Sequence, residues 1–206
     1  MLDAGNLECV RGERTLFRDV AFSLAAGSLL RIAGANGSGK PSLLRIVCGL
    51  TPPAQGEIRW RGENIRALRE EYWKHLVYIG HSNAVKDDLT ELENLEIASA
   101  LGGQNMAPGA AHSALDQFGV AACAALPARV LSQGQRRRVA LARLVVSRAL
   151  PLWVLDEPFT ALDAAAVGFV QTLIGEQLAR GGVVVFTTHQ EVVIEADVKL
   201  RIDLGV

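Results

Sequence analysis

A glycine-rich turn between an apolar run and an apolar-periodic segment constrains the fold of this chain more than any other feature. Residues 29–47 read LLRIAGANGSGKPSLLRIV, with Leu29, Leu30 and Ile32 ahead of the turn. This order predicts a strand, a loop and a helix. In such a unit the backbone N–H groups of the loop and the N-terminus of the helix point at one place. We therefore expect an anion site suited to phosphates.

The turn follows the phosphate-loop pattern G-x-x-x-x-G-K-[ST] except at its last position. Lys40 is predicted to place a positive charge beside the β- and γ-phosphates. Pro41 stands where a Ser or Thr hydroxyl would hold Mg²⁺, and it also removes a backbone N–H and biases Lys40 away from helical dihedral angles. Ser42 is the nearest hydroxyl that could replace the missing ligand. The candidate ATP-binding residues of the turn are Gly34, Ala35, Asn36, Gly37, Ser38, Gly39, Lys40, Pro41 and Ser42.

Two adjacent carboxylates end a second apolar strand. Residues 152–157 read LWVLDE, and Pro158 prevents the strand from continuing. An acidic pair exposed to solvent is the alternative, but the pair lies downstream of a phosphate loop. In that setting Asp156 suits a metal ion and Glu157 suits polarising the attacking water.

The segment LSQGQ at residues 131–135 predicts a helix start. Ser132 and Gln135 have capping-box spacing, so this N-terminus could face an anion, although an ordinary helix start has the same spacing. Residues 136–138 are three arginines, which spread around a helix and have no interleaved aromatic residues. We predict a solvated or interface-facing helix start and no nucleic-acid surface.

Composition limits the class of protein. The 206 residues allow one domain with a core, and 21 basic against 22 acidic residues give a net charge of −1 and no overall field that attracts nucleic acid. No apolar run is long enough to cross a bilayer. The N-terminal residues lack a secretory signal pattern, so we expect a cytoplasmic protein. The three cysteines have no C-x-x-C spacing and are expected to be reduced thiols.

Strands and helices alternate along the chain, which predicts an α/β fold with a parallel-sheet core. Two N-terminal strands are predicted to form a front sheet, and two Ala- and Leu-rich helices in the middle of the chain to form a helical lobe. Besides the strand and helix on either side of the phosphate loop, the predicted strands cover residues 7–10, 20–24, 57–61, 76–80, 152–155 and 183–187, and the predicted helices cover residues 91–101, 110–118 and 164–179.

Five motifs together resemble the ATP-binding cassette (ABC) family. The phosphate loop, LSQGQ, LWVLDE, ALD at residues 161–163 and TTHQ with His189 occur in that family's order over essentially the whole chain. The resemblance implies a P-loop NTPase of the ABC type, with a parallel-sheet core, an antiparallel front sheet and a small helical lobe. It implies one domain at residues 1–206, with the helical subdomain at approximately residues 82–147. The implied activity is hydrolysis of ATP, with Mg²⁺, coupled to transport.

The same resemblance implies a head-to-tail homodimer, in which the signature segment of one subunit closes on ATP held by Lys40 of the other. Glu157 and His189 would be catalytic, with His189 at the γ-phosphate, and Asp163 would communicate across the dimer. A lone histidine after a strand is otherwise more often structural. The implied signature residues are Leu131, Ser132, Gln133, Gly134 and Gln135.

Two further positions depart from the family pattern. His81 stands where the family usually has a glutamine that touches Mg²⁺ and couples to membrane subunits, and imidazole is a poor Mg²⁺ ligand. Arg11 lies near the position of an aromatic residue that stacks on adenine. Its guanidinium could stack instead, but an exposed surface arginine is an equally good interpretation.

Within the family, several strings are most similar to the ATPase subunits of the haem exporters of cytochrome c maturation. These strings are ERTLF, YIGHSNA, LTELENL, VALARL, LDEPFTALD and TTHQ. The similarity implies integral membrane subunits of the haem-exporter type as partners, and a peripheral position at the cytoplasmic face of the bacterial inner membrane. The alternatives are another small ABC transporter, or a nucleotide-binding module that dimerises but hydrolyses poorly because of Pro41 and His81.

Overall fold

The computed structural model describes residues 1–205, and in that range two sheets combine with seven α-helices. The strands are β1 (Leu2–Arg11), β2 (Arg14–Leu24), β3 (Ser28–Gly34), β4 (Gln55–Trp60), β5 (Glu63–Asn64), β6 (Leu76–Ile79), β7 (Leu152–Asp156), β8 (Val183–Thr187) and β9 (Val198–Leu204). The helices are α1 (Lys40–Val47), α2 (Ile65–Leu68), α3 (Glu70–Trp73), α4 (Glu91–Leu101), α5 (Ala110–Gln117), α6 (Gln133–Val146) and α7 (Ala164–Ala179). The last residue of the predicted domain, Val206, lies outside the described residues.

The larger sheet is parallel, in the order β6-β7-β8-β3-β9. Every residue of β7 and β8 is buried, because layers of the protein cover both faces. Alternate side chains of β7 enter different cores: Trp153 and Leu155 pack with the helices α4 to α7, whereas Leu152 and Val154 pack with α1 and the front sheet. The parallel arrangement brings the carboxyl ends of these strands to one edge of the sheet.

The smaller sheet is antiparallel, in the order β2-β1-β4-β5, and confirms the predicted front sheet. Its first two strands are longer than predicted. The alternation of apolar and polar residues in β1 is broken between Ala4 and Leu7, where the register with β2 shifts and Asn6 has a φ of 49°. The sequence pattern therefore identified only the part of β1 beyond this irregularity.

Three helices, α4, α5 and α6, lie between β6 and β7 in the chain. They pack on one another through Leu95, Leu115 and Leu141. These residues belong to the same core as Trp153 and Leu155 of β7. α4 begins with a capping box in which the Thr90 hydroxyl accepts the N–H of Glu93 at 3.2 Å and Glu93 accepts the N–H of Thr90 at 2.8 Å. This lobe positions α6, which starts at the predicted signature segment.

The α/β fold with a parallel core and an antiparallel front sheet is confirmed. Sequence reasoning missed the edge strand β9, although its charged residues Lys199 and Arg201 alternate with apolar ones, which is a strand pattern. Among residues 1–205 no helix is long and apolar enough to cross a membrane.

Candidate nucleotide site

Tight packing holds the phosphate loop between β3 and α1. Gly34, at the end of β3, has a φ of 142°, and a Cβ atom added there would lie 2.5 Å from the carbonyl oxygen of Leu204. Gly39 is the N-cap of α1 with a φ of 100°, and a Cβ atom there would lie 3.1 Å from atoms of Leu16 and Phe17. Both positions therefore need glycine for conformation and for space.

The ammonium group of Lys40 lies inside the concave side of this loop. Its Nζ atom donates to the carbonyl oxygens of Gly34, at 2.7 Å, and Ala35, at 3.1 Å, and the residue is 6% exposed. The positive charge adds to the positive end of the α1 dipole at the same place. The loop thus concentrates positive potential where a phosphate group would bind.

Pro41 does not disrupt the helix. The predicted bias on Lys40 is not realised, because Lys40 is the first residue of α1 and the N–H of Leu43 donates to the carbonyl oxygen of Gly39 at 2.9 Å. Proline is tolerated in the first turn, where backbone N–H groups have no partner within the helix. What the site loses at Pro41 is one N–H donor and one hydroxyl group.

The hydroxyl group of Ser42 has a different neighbour. It lies near the Cys9 thiol of β1, whose pKa is raised by burial and lowered in part by the charge of Arg11 and by the Ser42 hydroxyl. Ser42 itself is buried and is not among the residues that line the cleft described below. Its role as a metal ligand stays a prediction.

Asp156 and Glu157 lie at the carboxyl end of β7, next to the end of β8. The hydroxyl of Thr187 donates to Asp156 Oδ1 at 2.7 Å and accepts the N–H of Glu157 at 3.0 Å. The backbone of Glu157 has a φ of 49°, a left-handed conformation that costs a residue with a side chain about 1–2 kcal/mol. Its Oε2 atom accepts the N–H of His189 at 3.2 Å, and its Oε1 atom lies 3.6 Å from Nε2 of that residue.

A cleft of about 450 Å³ brings these groups together at the carboxyl edge of the parallel sheet. It is lined by Asn36, Gly37, Lys40, Pro41, His81, Asp156, Glu157, Thr160, His189 and Gln190. Segments far apart in the sequence meet here because β3, β6, β7 and β8 are all parallel and end at this edge. Arg11, Asp163 and residues 131–135 are not among the described residues that line it.

The predicted signature segment lies apart from this cleft. Its capping box is confirmed: the Ser132 hydroxyl accepts the N–H of Gln135 at 3.2 Å, and Gln135 accepts the N–H of Ser132 at 2.9 Å. Gly134 is close to the ALD segment, since a Cβ atom added to it would lie 3.2 Å from the carbonyl oxygen of Ala161. The start of α6 and the segment before α7 are therefore packed together.

Asp163 caps α7 and connects it to α6. Its Oδ1 atom accepts the N–H of Ala166 at 2.9 Å, and its Oδ2 atom pairs with the guanidinium of Arg138. The pKa of Asp163 is lowered by the hydrogen bond from Ala166 and by the charge of Arg138. The carboxylate is exposed beside the signature segment and is not directed into the cleft of its own chain.

The prediction of a solvated or interface-facing helix start is wrong for Arg137, which is 4% exposed. Arg136 pairs with Asp87 at 2.7 Å, so the three arginines do spread around the helix as expected. A signal for this burial was present: Leu141 and Leu144 lie four and seven residues after Arg137, on the buried face of α6.

Sequence reasoning also missed the polar residues that organise the cleft. Thr187 joins the two carboxylate-bearing residues, and Thr160 and Gln190 complete the wall of the cleft. Thr187 could have been found as the polar residue that ends an apolar strand. Its role depends on the adjacency of β7 and β8, which the sequence alone did not establish.

The residues that line the cleft fit Mg²⁺ only if the ion is bound jointly by a carboxylate and by phosphate oxygens. Residues 1–205 contain no group of three or more His, Cys, Asp or Glu side chains arranged to hold a metal ion. Mg²⁺ commonly binds through one or two carboxylates together with substrate phosphates and water. Asp156, which lines the cleft together with Lys40, suits that mode, whereas Pro41 contributes no ligand.

Comparisons with known proteins agree with this geometry. Residues 17–160 match the family model described as ABC transporter. The chain is 53% identical over 203 residues to the cytochrome c biogenesis ATP-binding export protein CcmA of Nitrosospira multiformis, covering 98% of each chain. It is 54% identical over 194 residues to CcmA of Nitrosomonas europaea, covering 94% of this chain and 91% of that protein.

Among solved structures, the fold is similar to that of a dimeric bacterial ABC transporter cassette. The TM-score is 0.81 at 25% sequence identity, and the match covers 92% of this chain and 88% of the other.

Proposed function

The chain belongs to the ABC transporter family, and from that premise we propose that it is the ATPase subunit of an export complex in cytochrome c biogenesis. The observation that supports this assignment is the identity of 53% and 54%, over nearly the whole chain, to two proteins named for that process. The family activity is ATP hydrolysis coupled to transport. The one-domain organisation, with a helical subdomain at approximately residues 82–147, is part of the proposal.

In the proposed reaction the phosphate loop binds the β- and γ-phosphates of ATP. Lys40 exchanges the carbonyl oxygens of Gly34 and Ala35 for phosphate oxygens, at little cost because the ammonium group already lies at the site. Asp156 would hold Mg²⁺, which neutralises charge on the phosphates. Glu157 accepts a proton from the attacking water. His189, whose backbone N–H donates to Glu157, contacts the γ-phosphate.

We infer that this site is completed by a second copy of the chain. The signature residues 131–135 do not line the cleft that holds Lys40, which supports a site formed between two copies of the chain. In a head-to-tail homodimer Ser132 and Gly134 would close on ATP bound to the partner, and Asp163 would lie between the two sites. Arg11, exposed at the end of β1, would stack on the adenine.

Transport requires integral membrane subunits, which we propose to be of the haem-exporter type, with haem as cargo. The ATPase would then lie at the cytoplasmic face of the bacterial inner membrane as a peripheral subunit. His81, exposed and at the rim of the cleft, would belong to the segment that couples ATP binding to those subunits.

Complementation tests this assignment. A bacterial strain that lacks its own haem-exporter ATPase is expected to regain haem-stained c-type cytochromes when this chain is expressed. A Lys40→Ala variant, expressed at the same level, is the matched control and should not restore them, since it lacks the phosphate contact. The proposed process is contradicted if the chain fails to restore cytochromes although it is soluble, hydrolyses ATP and co-purifies with no membrane subunit of that strain.

One observation favours a second candidate function, a nucleotide-binding module that dimerises but hydrolyses slowly. Pro41 lacks the hydroxyl and the N–H of the phosphate-loop pattern. ATP would still bind through Lys40 and the remaining N–H groups of the loop. The Pro41 variants described in the Discussion distinguish this candidate from an efficient ATPase.

A further inference from the structure

Arg137 is a buried cation that reaches the edge of the parallel sheet from α6. It is 4% exposed, and its guanidinium makes four hydrogen bonds. Nη1 donates to the carbonyl oxygen of Gly80 at 3.0 Å and to Asn83 Oδ1 at 3.3 Å. Nη2 donates to the carbonyl oxygens of Asp156 at 2.8 Å and Glu157 at 2.7 Å.

These acceptors belong to two segments that both contribute residues to the lining of the nucleotide cleft. Gly80 follows β6 and directly precedes His81, whereas Asp156 and Glu157 end β7. β6 and β7 are neighbours in the sheet, but their ladder ends with the pair Ile79 and Leu155. Beyond that pair, the guanidinium of Arg137 hydrogen-bonds to both segments.

The link to Glu157 acts on a strained part of the backbone. Glu157 has a φ of 49°, and such a conformation persists only when surrounding contacts determine it. Thr187 holds its N–H at 3.0 Å, and Arg137 holds its carbonyl oxygen at 2.7 Å. The two bonds fix the peptide groups on both sides of the residue and hence the direction of its side chain.

The four acceptors are all neutral oxygens, so Arg137 does not serve as half of an ion pair. Its neighbours on α6 do, since Arg136 pairs with Asp87 and Arg138 pairs with Asp163. A planar guanidinium has several donors in fixed directions, and hydrogen bonds from a charged donor in a buried place are strong. This arrangement suits an anchor for backbone geometry.

We propose that Arg137 is a positioning residue for ATP hydrolysis, which holds the backbone of Glu157 in register with the segment from Gly80 to Asn83 at the end of the neighbouring strand. A change in the position of that segment is therefore transmitted to the catalytic base through one side chain. The inference rests on the proposed role of Glu157 as the base.

Steady-state kinetics of the full chain test the proposal. Arg137→Met is expected to lower kcat for ATP by about 10- to 100-fold while KM changes less than about twofold, because misplacement of a catalytic group affects the chemical step more than binding. Arg137→Lys keeps the charge and should recover part of the loss. Arg148→Met is the control, since Arg148 lies just beyond α6, near Glu176, and contacts neither strand end. The series is also measured with Pro41→Thr, so that the metal contact does not limit turnover.

Glu157→Gln separates failure of this inference from failure of the proposed function. If Glu157→Gln retains turnover, the assignment of Glu157 as the base is wrong. If Glu157→Gln is inactive but Arg137→Met has the natural kcat, only the positioning role is wrong. A rise in KM that matches the fall in kcat would also overturn it, since that outcome indicates general damage to the site.

Amide hydrogen exchange gives a readout that does not require turnover. In Arg137→Met, or in Arg137→Lys if the first variant does not fold, exchange at residues 80–83 and at residues 156 and 157 should accelerate together. Arg148→Met should leave both segments unchanged. Acceleration in one segment alone, or in neither, would show that Arg137 does not join them.

Discussion

Pro41 alters the phosphate site without altering the backbone that carries it. α1 starts at Lys40 and its first internal hydrogen bond, from Leu43 to Gly39, is intact at 2.9 Å. The change is therefore chemical: a hydroxyl and an N–H are absent at one position of an otherwise ordered loop. Ser42 is the next hydroxyl along the chain, but it is buried and does not line the cleft. From the residue at position 41 we expect that ATP binds while Mg²⁺-dependent ATP turnover is weak.

Replacement of Pro41 by threonine should raise Mg²⁺-dependent ATP turnover by about tenfold or more, since a single polar contact to developing charge is commonly worth 10²–10³ in rate. Pro41→Ala is the matched control, because it restores the N–H without the hydroxyl. Steady-state rates at saturating ATP and Mg²⁺ measure the effect. Equal rates for all three proteins would refute a metal defect at this position.

At the scale of an element, α4 begins with a carboxylic acid that has no water contact. Glu91 is the first residue of α4, it is fully buried, and neither carboxylate oxygen has a hydrogen-bond partner among the described residues. Burial raises the pKa of Glu91 to about 7, against the opposing charge of Arg136. A buried carboxyl group is more stable in its neutral form, so the stability of the helical lobe that carries α6 should depend on pH.

The stability of the protein should therefore fall as the pH rises through about 7, since the pKa of Glu91 is higher in the folded state than in the unfolded chain. The contribution of protonated Glu91 to the free energy of unfolding is fully present below a pH of about 4.5 and should decline by about 2 kcal/mol between pH 5 and pH 8. Urea denaturation of the wild type and of Glu91→Gln at both pH values measures it. The difference in the free energy of unfolding between the two proteins should change with pH. Glu96→Gln, which alters an exposed residue of the same helix, should show the same pH dependence as the wild type.

For the whole molecule, the order of the parallel strands decides which residues meet. The strands β6, β7, β8 and β3 are neighbours, so His81, Glu157, His189 and Lys40 line one cleft. The signature segment starts α6 in the helical lobe and lies elsewhere. One copy of the chain therefore keeps the proposed phosphate site apart from the proposed signature surface, and a head-to-tail pair of copies would bring the two together.

Glu157→Gln should convert the protein from a monomer of 22.0 kDa to a dimer in the presence of ATP and Mg²⁺. The amide cannot accept a proton from water, so ATP would persist between the two subunits. Size-exclusion chromatography with light scattering measures the mass with and without ATP. Glu157→Gln combined with Gly134→Asp should stay monomeric, because a carboxylate in the signature segment would repel the phosphates bound to the partner. A dimer in that double variant would contradict the head-to-tail arrangement.

Local features of the sequence were sufficient for many of the elements and for the main parts of the site, but not for β9. The limits of α4, α7 and β8 match the predicted ranges, because apolar periodicity and polar boundaries are properties of neighbouring residues. The phosphate loop and the two carboxylates after β7 were identified in the same way, since their chemistry lies within short segments. The front sheet was predicted only in part, because the irregularity in β1 interrupts the pattern on which the prediction depends.

The tertiary structure alone decided which segments face one another. It buried Arg137 between the ends of β6 and β7, placed Thr187 between Asp156 and Glu157, and kept the signature segment out of the cleft. Each of these results depends on the order of strands in the sheet and on the packing of a lobe inserted between two of them. Such contacts join residues that are 19 to 57 positions apart in the chain. Short-range periodicity carries no information about contacts between residues at that separation. Those contacts are determined by burial and hydrogen bonding in the folded core.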